Sequence, residues 1–197
     1  MNSLQSNDKG FTGLEAAIVL IAFVVVAAVF SYVVLGAGFF TTQKAQETVH
    51  TGVAQATSAV ELSGPVMVQA GAGEVGSVSN ISFYLQLAAG GSAVDVTKIG
   101  YTVSTPKKIY TVQGTDTGFV NIHWLKTVAS GNLLEPREMV LIDLNTGVDN
   151  TGMGFAAADM GVNDKVSIEV KPPIGSSLPI TRTIPAALNS PNWYEVY

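Results

Sequence analysis

Asp143, Asn145 and Asp149 belong to the run Asp143-Leu144-Asn145-Thr146-Gly147-Val148-Asp149-Asn150, which sets oxygen donors at alternate positions. Calcium loops use such spacing because a hard cation takes several oxygen ligands from one short segment. Gly154 stands where an EF-hand has its bidentate glutamate, and no helical pattern flanks the run. A hairpin turn is the favoured reading, with a structural Ca2+ as the alternative. A second pattern, Gly71-Ala72-Gly73-Glu74-Val75-Gly76, has the spacing of a dinucleotide-binding turn, and Asp95 follows its last glycine by nineteen residues. That chemistry needs a helix N-terminus behind the glycines to receive the pyrophosphate. The stretch from Ser77 to Phe83 reads as a strand instead, so 71–76 is expected to be a connector. Asn80-Ile81-Ser82 is the only N-x-[ST] sequon, which makes Asn80 a candidate glycan acceptor on an exported domain. His50 and His123 are the only histidines, and the chain has no G-x-S-x-G, H-E-x-x-H or Walker pattern. Each histidine is expected to be a surface or packing residue, with no catalytic residues, no cofactor and no enzyme activity.

One further acid is placed oddly. Glu15 stands at the mouth of a run, Ala16 to Gln43, that contains no side chain charged at neutral pH. This run exceeds the roughly 20 residues a helix needs to cross a bilayer. From Ala16 to Phe40 apolar residues fall on every face of the helical wheel, so the helix needs lipid or protein all round it. Beyond it Val49, Val53, Ala56 and Val60 recur at helical spacing, with Lys44, Glu47, Gln55 and Glu61 on other faces. Ser63-Gly64-Pro65 supplies a stop. A rod over 11–62 would be about 75–80 Å long at 1.5 Å per residue. Small residues, among them Ala27, Ala28, Gly36 and Gly38, would let backbones of packed helices approach closely, and the two glycines also mark a bend or a flexible joint. An acid in a first helical turn interacts favourably with the dipole by about 0.3–1 kcal/mol. If the chain is cut after Gly10, the new amine of Phe11 on a neighbouring copy is a second partner for Glu15. A secretory signal and a permanent membrane anchor are the other readings of this segment.

After Pro65 the texture changes to short β-branched or aromatic runs divided by Gly, Asn, Pro and Asp. Strands are expected over 78–87, 94–103, 108–112, 119–125, 138–144, 165–170 and 178–184. This spacing without intervening helices predicts an antiparallel, Ig-like β-sandwich, and hence an α+β chain with a long N-terminal hydrophobic helix. The expected organisation is a cleaved leader over 1–10, an assembly helix over 11–62, a linker over 63–77 and a β-sandwich head over 78–197.

Lys9-Gly10 followed by Phe11-Thr12-Gly13-Leu14-Glu15 and a long apolar helix resembles the class III signal sequence of type IV pilin-like proteins, and in detail that of archaeal flagellins, or archaellins. ISFYLQLAAGGSAVDVTKIGYTV (81–103), MVLIDL (139–144) and NDKVSIEVKPPIGSSLPITRTIP (163–185) are similar to strand motifs of archaellin heads. The resemblance implies cleavage after Gly10 by a prepilin-peptidase-like signal peptidase, with Lys9, Gly10, Phe11 and Gly13 bracketing the cut. It implies assembly through a helix carrying Phe11, Glu15, Ala27, Ala28, Gly36 and Gly38 into an extracellular swimming filament, from a precursor held in the cytoplasmic membrane. Other archaellins, and the motor and platform proteins of the archaellum, are the further partners it implies.

Composition narrows the alternatives. With 10 Lys and Arg against 15 acids and no basic run, a nucleic-acid surface is excluded. The lack of cysteine removes disulfide and thiolate chemistry. An adhesive archaeal pilin and a membrane-anchored extracellular enzyme or binding domain are the rival functions.

Overall fold

The computed structural model describes residues 5–57, 59–71, 76–126, 131–147 and 152–197. The chain divides into two units, Met1–Thr51 and Gly52–Tyr197. Most of the first is a single helix, α1, which runs over Gln5–Thr57. The helix therefore begins before Phe11, because nothing in 5–10 except Gly10 opposes it and one glycine costs only about 1 kcal/mol. At its other end the helical spacing of Val60 misleads. Val60 and Leu62 alternate inward on a strand, and burying them against the sheet outweighs continuing the helix.

The second unit is built from antiparallel strands: β1 Val60–Leu62, β2 Val66–Ala70, β3 Val78–Leu87, β4 Val94–Asp95, β5 Gly100–Ser104, β6 Ile109–Gln113, β7 Val120–Lys126, β8 Leu133–Leu134, β9 Met139–Asn145, β10 Lys165–Lys171, β11 Leu178–Thr183 and β12 Trp193–Val196. A six-stranded sheet has the order β12-β2-β3-β9-β7, with β1 also paired to β3. A four-stranded sheet has the order β11-β10-β5-β6, and β4 pairs β8. The period-2 pattern sends Ile81, Phe83 and Leu85 of β3, and Val140, Ile142 and Leu144 of β9, into the core. Val103, Val166, Ile168 and Val170 from the other sheet join the same core cluster.

Residues 63–77 are accordingly more than a linker, since β2 is a central strand with Val66, Val68 and Ala70 buried. The expected strand over 94–103 is split: the Asp95 carboxylate accepts the Thr97 N–H at 3.1 Å and opens a turn of 3-10 helix, Val96–Lys98. An Asp side chain offers the backbone this alternative to a ladder bond. The Thr97 hydroxyl, which donates to the same carboxylate at 2.6 Å, and Lys98 beside it hold the Asp95 carboxyl below the usual carboxylate range.

Tyr101 and Phe83 meet edge to face across the core with ring centroids 6.2 Å apart. The Tyr101 hydroxyl is fully buried and, among the described residues, has no hydrogen-bond partner. Burial pushes this phenol well above the ordinary tyrosine range, so it stays neutral. A buried hydroxyl without a partner loses its hydration for no return. Tyr101→Phe is therefore expected to stabilise the head by about 1 kcal/mol, read as a raised thermal midpoint.

Candidate functional site

α1 is apolar and long enough to cross a membrane by length and composition. Within this one chain its side chains from Gly13 to Val53 are open to solvent: Phe23 is 74% exposed, Phe30 70% and Phe39 70%. The exposed groups lie at consecutive positions, Ile18 to Ile21 and Val24 to Val26, so no face is spared. The polar groups beyond them are turned inward on the helix itself. Thr41 donates to the Ala37 carbonyl at 2.7 Å and Thr42 to the Gly38 carbonyl at 2.9 Å, which leaves their methyl groups outward. Lys44 pairs with Glu47 at 2.6 Å where charged residues resume.

Glu15 lies on this surface among Ala16, Val19, Leu20 and Phe23. Lys9, Gly10, Phe11 and Gly13 follow one another in the same helix. Phe11 precedes Glu15 by one helical turn, about 6 Å along the axis. Ala27, Ala28, Gly36 and Gly38 are likewise exposed on the helix. A methyl group built on Gly36 or Gly38 meets nothing within 4 Å. The helix itself therefore has room for side chains there, and only another molecule would make them unwelcome.

The head holds the remaining sequence candidates apart. Asn80 is half-buried inside β3, with β2 on one side and β9 on the other. Its Nδ2 donates to Gln69 Oε1 at 2.9 Å, and Ser82 Oγ donates to Asp143 at 2.7 Å. A glycan on Asn80 would require that amide to leave Gln69. Asp143 and Asn145 share the outward face of β9. Asn145 Oδ1 accepts the Gly147 N–H at 3.0 Å and so closes a turn. Asp149 lies outside the described residues. Among the described residues no group of three His, Cys, Asp or Glu is arranged to hold a metal. Gly71 and Gly76 belong to the connection between β2 and β3, where the Gly71 N–H donates to the Ser77 carbonyl at 2.9 Å. Among the described residues the next element is a strand, not a helix; residues 72–75 lie outside the described residues. His50 is exposed on α1 and His123 on β7, on separate units. Trp124 and Tyr194 pack against the core, whereas Trp193 is 42% exposed.

One feature of the head escapes sequence reasoning. Glu135-Pro136-Arg137-Glu138 closes a tight turn, with the Glu138 N–H donating to the Glu135 carbonyl at 3.1 Å. Arg137 takes a left-handed backbone, φ 77°. The only sequence signal was proline followed by a residue in the position that favours glycine or asparagine.

The chain matches the family model for archaeal-type flagellin over residues 10–182. It is 46% identical to probable flagellin 1 of Archaeoglobus fulgidus, over 93% of this chain and 94% of that one. Its structure is similar to that of a subunit in the archaeal flagellum of Methanospirillum hungatei strain JF1, with a TM-score of 0.71 and 34% identity, covering 93% of this chain and 98% of that one. A flagellin crystal structure from Methanocaldococcus jannaschii shares the fold with a TM-score of 0.57 at 12% identity, over 70% of this chain and 95% of that one.

Proposed function

The chain belongs to the archaeal-type flagellin family and is a structural subunit of the extracellular archaeal flagellum filament, and we propose that it enters that filament by exchanging lipid for copies of its own helix. The observation that carries this reading is the apolar surface of α1, which covers its whole circumference. Fully burying a Val, Leu, Ile or Phe is worth roughly 1.5–3 kcal/mol. Exposing the more than a dozen such residues of α1 to water would cost tens of kcal/mol, so the helix stays in membrane until neighbouring helices replace it.

A prepilin-peptidase-like enzyme removes residues 1–10, with Lys9, Gly10, Phe11 and Gly13 around the cut. The Phe11 amine released on one copy then offers a charge partner to Glu15 of another, in a dry setting where an unpaired carboxylate is costly. Small residues at 27, 28, 36 and 38 admit the neighbouring backbones. The archaellum platform receives the processed subunit, its motor turns the filament, and other archaellins share the polymer. Asn80 is the site for an N-linked glycan, attached before β3 is enclosed by its neighbours.

Deleting the coding sequence tests the function. The expected result is loss of swimming, with filaments restored by the intact chain. A deletion strain that swims normally but no longer attaches to surfaces would turn the reading toward an adhesive pilin.

A further inference from the structure

Only Ser58 and Ala59 separate the end of α1 from the start of β1. β1 has three residues, and so short a strand at the entry to a sheet is where fraying ordinarily begins. Here both of its ends and both of its faces are fastened to the sheet. Val60, Glu61 and Leu62 lie opposite Leu87, Gln86 and Leu85 of β3. The ladder continues past the strand, with the Ala88 N–H donating to the Ala59 carbonyl at 2.9 Å and the Ser63 N–H to the Tyr84 carbonyl at 3.0 Å. Inward, Val60 is buried and Leu62 packs against the core. Outward, Gln86 Nε2 donates to Glu61 Oε1 at 2.6 Å. Gly64 then turns the chain toward β2 with φ 148°, and a Cβ there would lie 3.1 Å from Cδ2 of Tyr84. The Tyr84 ring therefore rests against bare glycine backbone, an arrangement that pins strand register. At Leu85 and Gln86 β3 is paired on both sides, to β1 and to β9, so β1 is tied to the middle of the six-stranded sheet.

A flexible tether would let a rod turn without its head, because a few free backbone dihedrals absorb rotation at little cost. A strand bonded at both ends lacks that freedom. We propose that β1 is the joint that makes each head turn with its helix. It opens only when the sheet around β3 opens, so torque on the rod reaches the head through the β1–β3 ladder. This rests on the filament reading, and it names the part of the head on which rotation bears.

The test uses full-length chains in the native strain, with hydrogen exchange and persistence length in electron micrographs read on sheared filaments. In wild type the Ser63 and Ala88 amides should exchange as slowly as the bonded amides of β9. Gly64→Val drives a branched side chain at Tyr84 and into a backbone that favours glycine, whereas Tyr84→Ala removes the ring and spares the turn. Either should speed exchange at Ser63 and Ala88 about tenfold, leave β10 as in wild type, and give filaments of shorter persistence length that drive slower swimming at equal length. The chain has no cysteine, so Glu61→Cys with Gln86→Cys supplies a reversible lock, facing residues of an antiparallel pair being about 5.5 Å apart and within disulfide reach. Oxidising that pair in the Tyr84→Ala chain should restore the persistence length, and reducing it should remove the gain. Wild-type exchange at Ser63 as fast as in an open loop, Tyr84→Ala filaments as stiff as wild type despite faster exchange, or a lock that restores protection without stiffness would each overturn the joint. A wild-type chain that forms no filament would instead remove the reading beneath it.

Discussion

Val25→Lys should leave cells without surface filaments. Val25 lies midway along the apolar run and is 55% exposed on α1, so in the assembled state it must be covered by lipid or by another helix. A lysine near a bilayer centre costs about 2.5–3.5 kcal/mol. In a packed bundle the ammonium also lacks a partner, since the run from Ala16 to Gln43 contains no acid. The penalty recurs with every subunit added, so polymer growth should fail at the outset. Immunoblots should find the chain depleted from the sheared fraction, while Val25→Leu remains at wild-type yield. Normal filament yield from Val25→Lys would show that α1 is not buried in the polymer.

The second large effect concerns the peptide bond after Gly10. Subunits from wild-type filaments are expected to begin at Phe11, with an intact mass lacking residues 1–10. Gly10→Val places a branched side chain against the bond to be cut, so the chain should stay uncut, keep the mass of residues 1–10 and remain in the membrane fraction. The uncut chain is helical on both sides of this bond. Gly10 and Gly13 each weaken that helix by about 1 kcal/mol, which favours the local unwinding a protease needs. Filament subunits that retain Met1 would sink both the processing site and the pairing of the Phe11 amine with Glu15.

Much of this architecture was legible because its signals are redundant. The apolar run is long and uninterrupted, and β9 and β10 alternate strictly between core and surface. The misses share a physical cause, in that a long-range partner decided the local conformation. Val60 fits a helix by spacing and becomes a strand because Leu87 lies opposite it. Val66–Ala70 follows a Gly-Pro stop and reads as connector until β3 and β12 are placed on either side. Trp193–Val196 is too short to announce itself before β2 offers an edge. In the candidate site, Glu15 was conspicuous as a lone acid, whereas the left-handed backbone of Arg137 in the head is a dihedral angle that only the preceding proline hints at.

The pairing of β12 with β2 sets an order on biosynthesis. Residues 66–70 leave the ribosome early, but their outer hydrogen-bonding edge stays bare until 193–196 have been made. Closing that long loop is slow compared with forming local turns, and a bare edge invites strands from other chains in the meantime. Nascent neighbours must therefore stay apart until the last strand arrives, which makes spacing between unfinished copies a condition of faithful maturation.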